Sequence, residues 1–126
     1  MNYLIFSQTN GGVTADDGTA VATGWSGHGE GKNNPAMQFV RCVGPLPQGW
    51  YTIDLWEMSH PVLGPMVAHL TPDPDNDMQG RNAFYFHGPS SDPSKYGQES
   101  EGCIVVPHVP RQAIKDTGMT RLQVVA

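Results

Sequence analysis

Turn chemistry interrupts this chain before any apolar run grows long. Asn10-Gly11 and Asp16-Asp17-Gly18 stand close together, and Asn-Gly and Asp-Gly are the dipeptides that two-residue hairpins select. Residues 3–7 are apolar and aromatic, Val13-Thr14-Ala15 is short enough for a return strand, and Thr19 to Trp25 runs back as a third. The pattern predicts an antiparallel meander over residues 2–25 that serves as scaffold. With 15 glycines and 11 prolines among recurring aromatic and β-branched runs, the chain reads as a loop-rich, strand-dominated globule and not as a disordered one.

The same logic continues downstream. Pro47 fixes φ, Gly49 allows a positive φ, and alternation begins at Tyr51. Tyr51, Ile53 and Leu55 are expected on one face, with Thr52, Asp54 and Trp56 on the other. His60-Pro61 opens a loop, Gly64-Pro65 leads into a strand from Met66 to Leu70, and Thr71 to Asp77 reads as a solvated turn. Its Asp-x-Asp-x-Asp spacing lacks the glycine and distal glutamate of a calcium loop. Phe84–His87 and Ile104–Val106 read as strands, Pro110–Thr117 as a short helix stopped by Gly118, and Arg121–Val125 as a closing strand. At 126 residues the chain suits one domain, residues 1–126, that buries roughly two thirds of its unfolded surface.

The formal charge is −5, without a cluster of Lys and Arg, which argues against a nucleic-acid partner. No stretch of about 18 apolar residues is present to insert in a membrane. The start, Met1 to Phe6, lacks a basic segment and a long apolar run, so no Sec-type signal is expected. Cys42 and Cys103 are too few for a disulfide framework. A bridge between them would block either thiol, and only geometry decides it.

Chemistry concentrates between Phe84 and Val106. His87 ends one apolar run and Cys103 begins the next. A thiol attacks a carbonyl as thiolate, and an imidazole can take its proton. The oxyanion that forms needs donors. Consecutive backbone N–H groups of Ser100-Glu101-Gly102-Cys103 are candidates, because Gly102 lets the chain turn sharply, and the Ser100 hydroxyl is a further one. A buried structural Cys103 beside a hydrogen-bonded His87 is the alternative reading of the same two residues. Arg81, just before the first run, is a candidate for a substrate carboxylate, with a rim salt bridge as its alternative. His28, His60, His69 and His108 are dispersed, without metal-ligand spacing, and read as surface or hydrogen-bonding residues.

His87-Gly88, a loop, then Ser100-x-Gly102-Cys103 resembles the signature of L,D-transpeptidase catalytic domains. Glu101 departs from it where the family usually has His, and Ile104 and Val105 depart where His/Arg and Asn/Leu are common. A second segment, Trp25-Ser26-Gly27-His28-Gly29-Glu30-Gly31-Lys32-Asn33-Asn34-Pro35-Ala36-Met37, resembles one subgroup, the L,D-transpeptidase-like effectors exported by type VI secretion systems. The Pro47-x-Gly49-x-Tyr51-x-Ile53 turn also recurs in that fold.

The resemblance implies a mainly β fold, a β-sandwich-like mixed sheet with one short C-terminal helix. It implies Cys103 as nucleophile, His87 as base, Gly102 and Cys103 N–H groups as oxyanion donors with Ser100 in support, and no cofactor or metal. Trp25, Lys32, Asn33, Asn34, Arg81 and Gly88 are the expected substrate-binding residues. The implied substrate is the peptidoglycan tetrapeptide stem, with hydrolysis, D-amino-acid exchange and cross-linking all open. The implied partners are a secretion apparatus and an immunity protein. The implied route is synthesis in the bacterial cytoplasm without a signal peptide and action in the periplasm of a target cell. Two other classes stay open: a wall-binding module without catalysis, and a metal-dependent peptidoglycan amidase using His87 and Cys103.

Overall fold

The computed structural model describes residues 2–92, 94 and 100–126. Strands β1 (Leu4–Ser7), β2 (Gly12–Ala15) and β3 (Ala20–Thr23) form the expected antiparallel meander. Its turns use the anticipated chemistry. Asn10 Oδ1 accepts from the Gly12 N–H at 2.7 Å, and Gly11 takes φ +73. Asp17 Oδ1 accepts from the Thr19 N–H at 3.0 Å. Such side-chain-to-backbone bonds are what place Asn and Asp in turns.

The expected third strand divides at Gly24. Trp25–Ser26 leaves the meander and forms β4 against β9 (Ile104–Val105). A Cβ at Gly24 would lie 2.1 Å from the Val105 carbonyl oxygen, so only glycine lets the chain cross there. The remaining strands are β5 (Gly49–Ile53), β6 (Glu57–His60), β7 (Gly64–Pro72), β8 (Phe84–His87) and β10 (Arg121–Val125). Their order is β3-β2-β1-β10-β5-β7-β8-β9-β4, with β6 on β7 beside that path. The two ends of the order, β3 and β4, are separated in the chain by Gly24 alone, so the sheet nearly closes on itself. It is mixed, because β1/β10 and β8/β9 are parallel and the other pairs antiparallel.

Period-two alternation builds the core. Leu4 and Phe6, Tyr51 and Ile53, Phe84 and Phe86, and Leu122 and Val124 all point inward. Each such side chain contributes about 1.5–3 kcal/mol on burial. Helix α1 (His108–Asp116) packs Ile114 into this core and lies against β3. It starts two residues before the expected Pro110, which falls within its first turn, where a missing N–H is harmless.

The expected alternation fails beyond Ile53, where Trp56 packs against the core instead of pointing away from it. Leu55 is 92 % exposed instead of sharing the face of Tyr51 and Ile53, because β5 ends at Ile53. The loop opens at His60 as expected, but β6 precedes it unannounced, and its residues Glu57, Met58 and Ser59 are exposed. A strand paired with β7 and exposed over its first three residues carries no burial period to detect.

Candidate active site

Parallel pairing of β8 with β9 brings the two chemical residues together. The register sets Phe86 beside Ile104 and His87 beside Val105, which puts Tyr85 opposite Cys103. Phe84, Phe86 and Ile104 face the core. Alternation therefore sends Tyr85, His87 and Cys103 to the other face. The Tyr85 N–H donates to Cys103 Sγ at 3.3 Å, and Sγ lies 3.8 Å from the Ala83 carbonyl oxygen. Cys103 and His87 line one cavity of about 600 Å³, together with Tyr85, His60, Arg41 and Glu101. Both cysteines are free thiols, so no bridge blocks Cys103.

The environment keeps this thiol protonated at rest. Burial pushes its pKa up to about 11; the Tyr85 N–H opposes that rise, the Glu101 carboxylate adds to it, and the Arg81 guanidinium opposes it. Ionisation therefore needs a base at hand. His87 Nδ1 lies 2.8 Å from the Gly88 carbonyl oxygen. A carbonyl only accepts, so Nδ1 carries the hydrogen and Nε2 the lone pair in the neutral ring.

The turn before Cys103 is organised by Ser100, which is fully buried. Its Oγ accepts from the Gly27 N–H at 2.8 Å and the Gly102 N–H at 3.1 Å, and donates to the Cys103 carbonyl at 2.5 Å. Two expected roles change as a result. The Gly102 N–H is spent on Ser100 and does not face an oxyanion, and the Ser100 proton is spent on Cys103. Gly102 itself takes φ +126, and a Cβ there would lie 2.5 Å from Phe84 Cε1 and 2.6 Å from Arg81 Nη2.

Two buried arginines brace the two halves of the site. Arg81 donates to the carbonyls of Gln38, Gly44, Pro45 and Glu101 and stacks over Phe84. Arg81 borders the cavity, but both of its Nη groups bond backbone carbonyls, so it braces the site where a pairing with a substrate carboxylate was expected. Arg111 donates to the carbonyls of Pro65, Met66 and Val106. It also explains Gly88, because a Cβ there would lie 2.4 Å from Arg111 Nη1. Gly88 admits the brace under the His87 turn.

The glycine-rich segment does not reach the cavity. Ser26 Oγ donates to the Gly102 carbonyl at 2.9 Å and accepts from the Leu46 N–H at 2.8 Å, while His28 Nδ1 meets the Ser100 carbonyl at 2.9 Å. The segment is a cradle for the Ser100–Cys103 turn. Trp25 is buried, with Lys32 Nζ 4.9 Å from its ring centroid. Asn33 Oδ1 accepts from the Ser26 N–H, and Asn34 Oδ1 caps Ala36. None of these four expected binding residues borders the cavity, and these contacts fall within the segment itself; local polar and glycine content marks a tight backbone packing as readily as a ligand surface.

Beside Arg81, His87 and Cys103, the cavity is bordered by residues that sequence reasoning missed: Arg41, Cys42, His60 and Tyr85. Cys42 and Ala83 also border it in the left-handed region, at φ +62 and +65. Non-glycine residues hold that conformation only where their surroundings impose it. Tyr85 lies two residues before His87 on the same face of β8, so alternation could have found it; Arg41, Cys42 and His60 come from elsewhere in the chain, and no local signal announces them.

The comparisons bear on this geometry. No curated protein matches the chain. Solved structures do match at the level of fold. L,D-transpeptidase 3 from Mycobacterium tuberculosis, in complex with a faropenem-derived adduct, has 15 % identity and a TM-score of 0.59 over 98 % of this chain and 60 % of that one. The L,D-transpeptidase (residues 123-326) from Xylanimonas cellulosilytica has 18 % identity and a TM-score of 0.59, over 98 % and 59 %. An L,D-transpeptidase from Mycobacterium smegmatis has 16 % identity and a TM-score of 0.57, over 98 % and 58 %. The chain thus spans less than two thirds of these neighbours and shares their catalytic-domain fold. A family model for the Tlde1 domain matches residues 20–126, from β3 through both halves of the site to the last strand, and the chain belongs to that family of L,D-transpeptidase effectors of type VI secretion.

Proposed function

We propose that this chain is a cysteine acyl transferase acting on peptidoglycan tetrapeptide stems. The observation that carries the reading is the common face and common cavity of Cys103 and His87. His87 Nε2 takes the thiol proton as Sγ attacks the carbonyl carbon joining diaminopimelate to the terminal D-alanine. The carbonyl electron pair moves onto oxygen, and the Cys103 N–H is the donor left for it once Ser100 holds the Gly102 N–H. Collapse breaks the C–N bond, D-alanine leaves with the proton from the imidazolium, and a thioester remains on Sγ. Water resolving that thioester gives an L,D-carboxypeptidase. A free D-amino acid gives exchange, and the amine of a second stem gives a cross-link. Each path returns the thiol.

Membership of the effector family supports action on peptidoglycan. Hydrolysis or exchange fits an antibacterial role, since either strips the donor stems a rival wall needs. In this reading the chain travels through a secretion apparatus to the periplasm of a target cell, and the producer holds an immunity protein. Mass spectrometry of purified stems incubated with wild type and with Cys103→Ala tests the chemistry. Loss of D-alanine, its exchange, or stem dimers with wild type alone is the expected result. Turnover retained by Cys103→Ala would sink the cysteine mechanism.

A further inference from the structure

Two charged residues that border the cavity engage little of the protein with their charged ends. Arg81 and Arg111 are engaged by backbone carbonyls, and Arg121 by Asp73 and Thr52. Arg41 is exposed, and its guanidinium makes one long contact, Nη2 to the Gly80 carbonyl at 3.5 Å. Glu101 is exposed, and its carboxylate forms no hydrogen bond or ion pair among the described residues. Both side chains border the cavity that holds Cys103. The chain bends at Cys42, with φ +62, immediately after Arg41. That left-handed residue is the kind of strain that collects at binding sites.

We propose that Arg41 and Glu101 form a paired recognition site for an α-amino-acid zwitterion, Arg41 taking its carboxylate and Glu101 its ammonium. The inference rests on the acyl-transfer reading and names what that site grips. Opposite charges bordering one cavity select a ligand end that carries both signs, and reject ends that carry one. Guanidinium and carboxylate form charge-assisted hydrogen bonds with such groups. On a stem, the zwitterion is the distal end of a diamino-dicarboxylic residue. In solution, it is a free amino acid entering as acceptor.

The position of Glu101 adds a consequence. An anion beside a nucleophilic thiol opposes its ionisation, and Glu101 does raise the Cys103 pKa. An ammonium seated on Glu101 cancels that charge. The thiol is therefore easier to ionise with ligand bound than without it, which guards the empty enzyme against stray acylation.

Calorimetry on the Cys103→Ala protein tests recognition without turnover. Three tetrapeptides ending in D-alanine are compared, carrying diaminopimelate, lysine or 2-aminopimelate at the third position. The second has only the ammonium, and the third only the carboxylate. Arg41→Gln is expected to weaken the diaminopimelate stem roughly 10-fold and leave the lysine stem unchanged. Glu101→Gln is expected to weaken it by a similar factor and leave the 2-aminopimelate stem unchanged. If both variants instead weaken a free D-amino acid and spare all three stems, the zwitterion is the acceptor. Equal penalties on all ligands, or none, overturn the proposal. Wild type that removes D-alanine from stems while these penalties are absent overturns this inference alone. Stems that neither react with wild type nor bind Cys103→Ala overturn the acyl-transfer reading with it.

Discussion

Replacing Ser100 with alanine separates two roles that look alike in sequence. Its hydroxyl is fully buried and makes three hydrogen bonds, to Gly27, Gly102 and Cys103. At about 1 kcal/mol net for each, Ser100→Ala loses about 3 kcal/mol, and more where an amide is left buried and unpaired. For a domain of this size that lowers Tm by roughly 10 °C or more. The turn carrying Cys103 loosens as well, so kcat falls, since small misplacements of a nucleophile cost large factors in rate. Thermal unfolding followed by circular dichroism, with D-alanine release measured on the same samples, reads both. Ser100→Ala with unchanged Tm and strongly reduced kcat would refute the positioning role and return Ser100 to the oxyanion.

Other perturbations follow from the same geometry. With the thiol pushed up to about 11, Cys103 alkylation by iodoacetamide should climb about tenfold per pH unit between pH 8 and 10; a plateau below pH 8 would show a resting thiolate. Because the native state keeps a proton that the unfolded thiol releases above about pH 9, this burial should also erode stability as pH rises from 9 toward 11. Gly88→Ala places a Cβ against Arg111, and overpacking of that kind costs about 1–3 kcal/mol; a fall in both Tm and kcat is expected, and an unchanged Tm would show that the brace is not tight. Lys32→Ala removes a contact with the Trp25 ring outside the cavity, so KM for stems should stay at the wild-type value, and a several-fold rise would restore Lys32 to the binding surface.

What sequence made legible follows the range of the forces involved. β8 and β10 match their expected bounds because alternation between core and solvent is written locally, as in Phe84 and Phe86 or Leu122 and Val124. The His87 and Cys103 pair was legible through motif spacing. The parallel pairing that puts both on one face was not, since it depends on β8 and β9 meeting although they are not adjacent in the chain. Ser100 reaches Gly27, and Arg81 and Arg111 reach most of their carbonyls, far away in the chain, and nothing near them in sequence names those partners. Arg81 was read as a substrate hand because an arginine beside a catalytic motif looks the same whether its donors are open or filled. The glycine-rich segment misled in the opposite sense. Its glycines admit backbone contacts, as at Gly27 and Gly31 against the Val43 carbonyl, and its polar groups tie down the nucleophile turn.

The most direct test of the central claim is capture of the acyl-enzyme. Intact-protein mass spectrometry of wild type quenched in acid during turnover should show an adduct equal to the stem less D-alanine. Peptide mapping should place it on Cys103, with the exposed Cys42 unmodified, and His87→Ala should form it far more slowly. An adduct on Cys42, or D-alanine release by a protein that never carries one, would contradict the account.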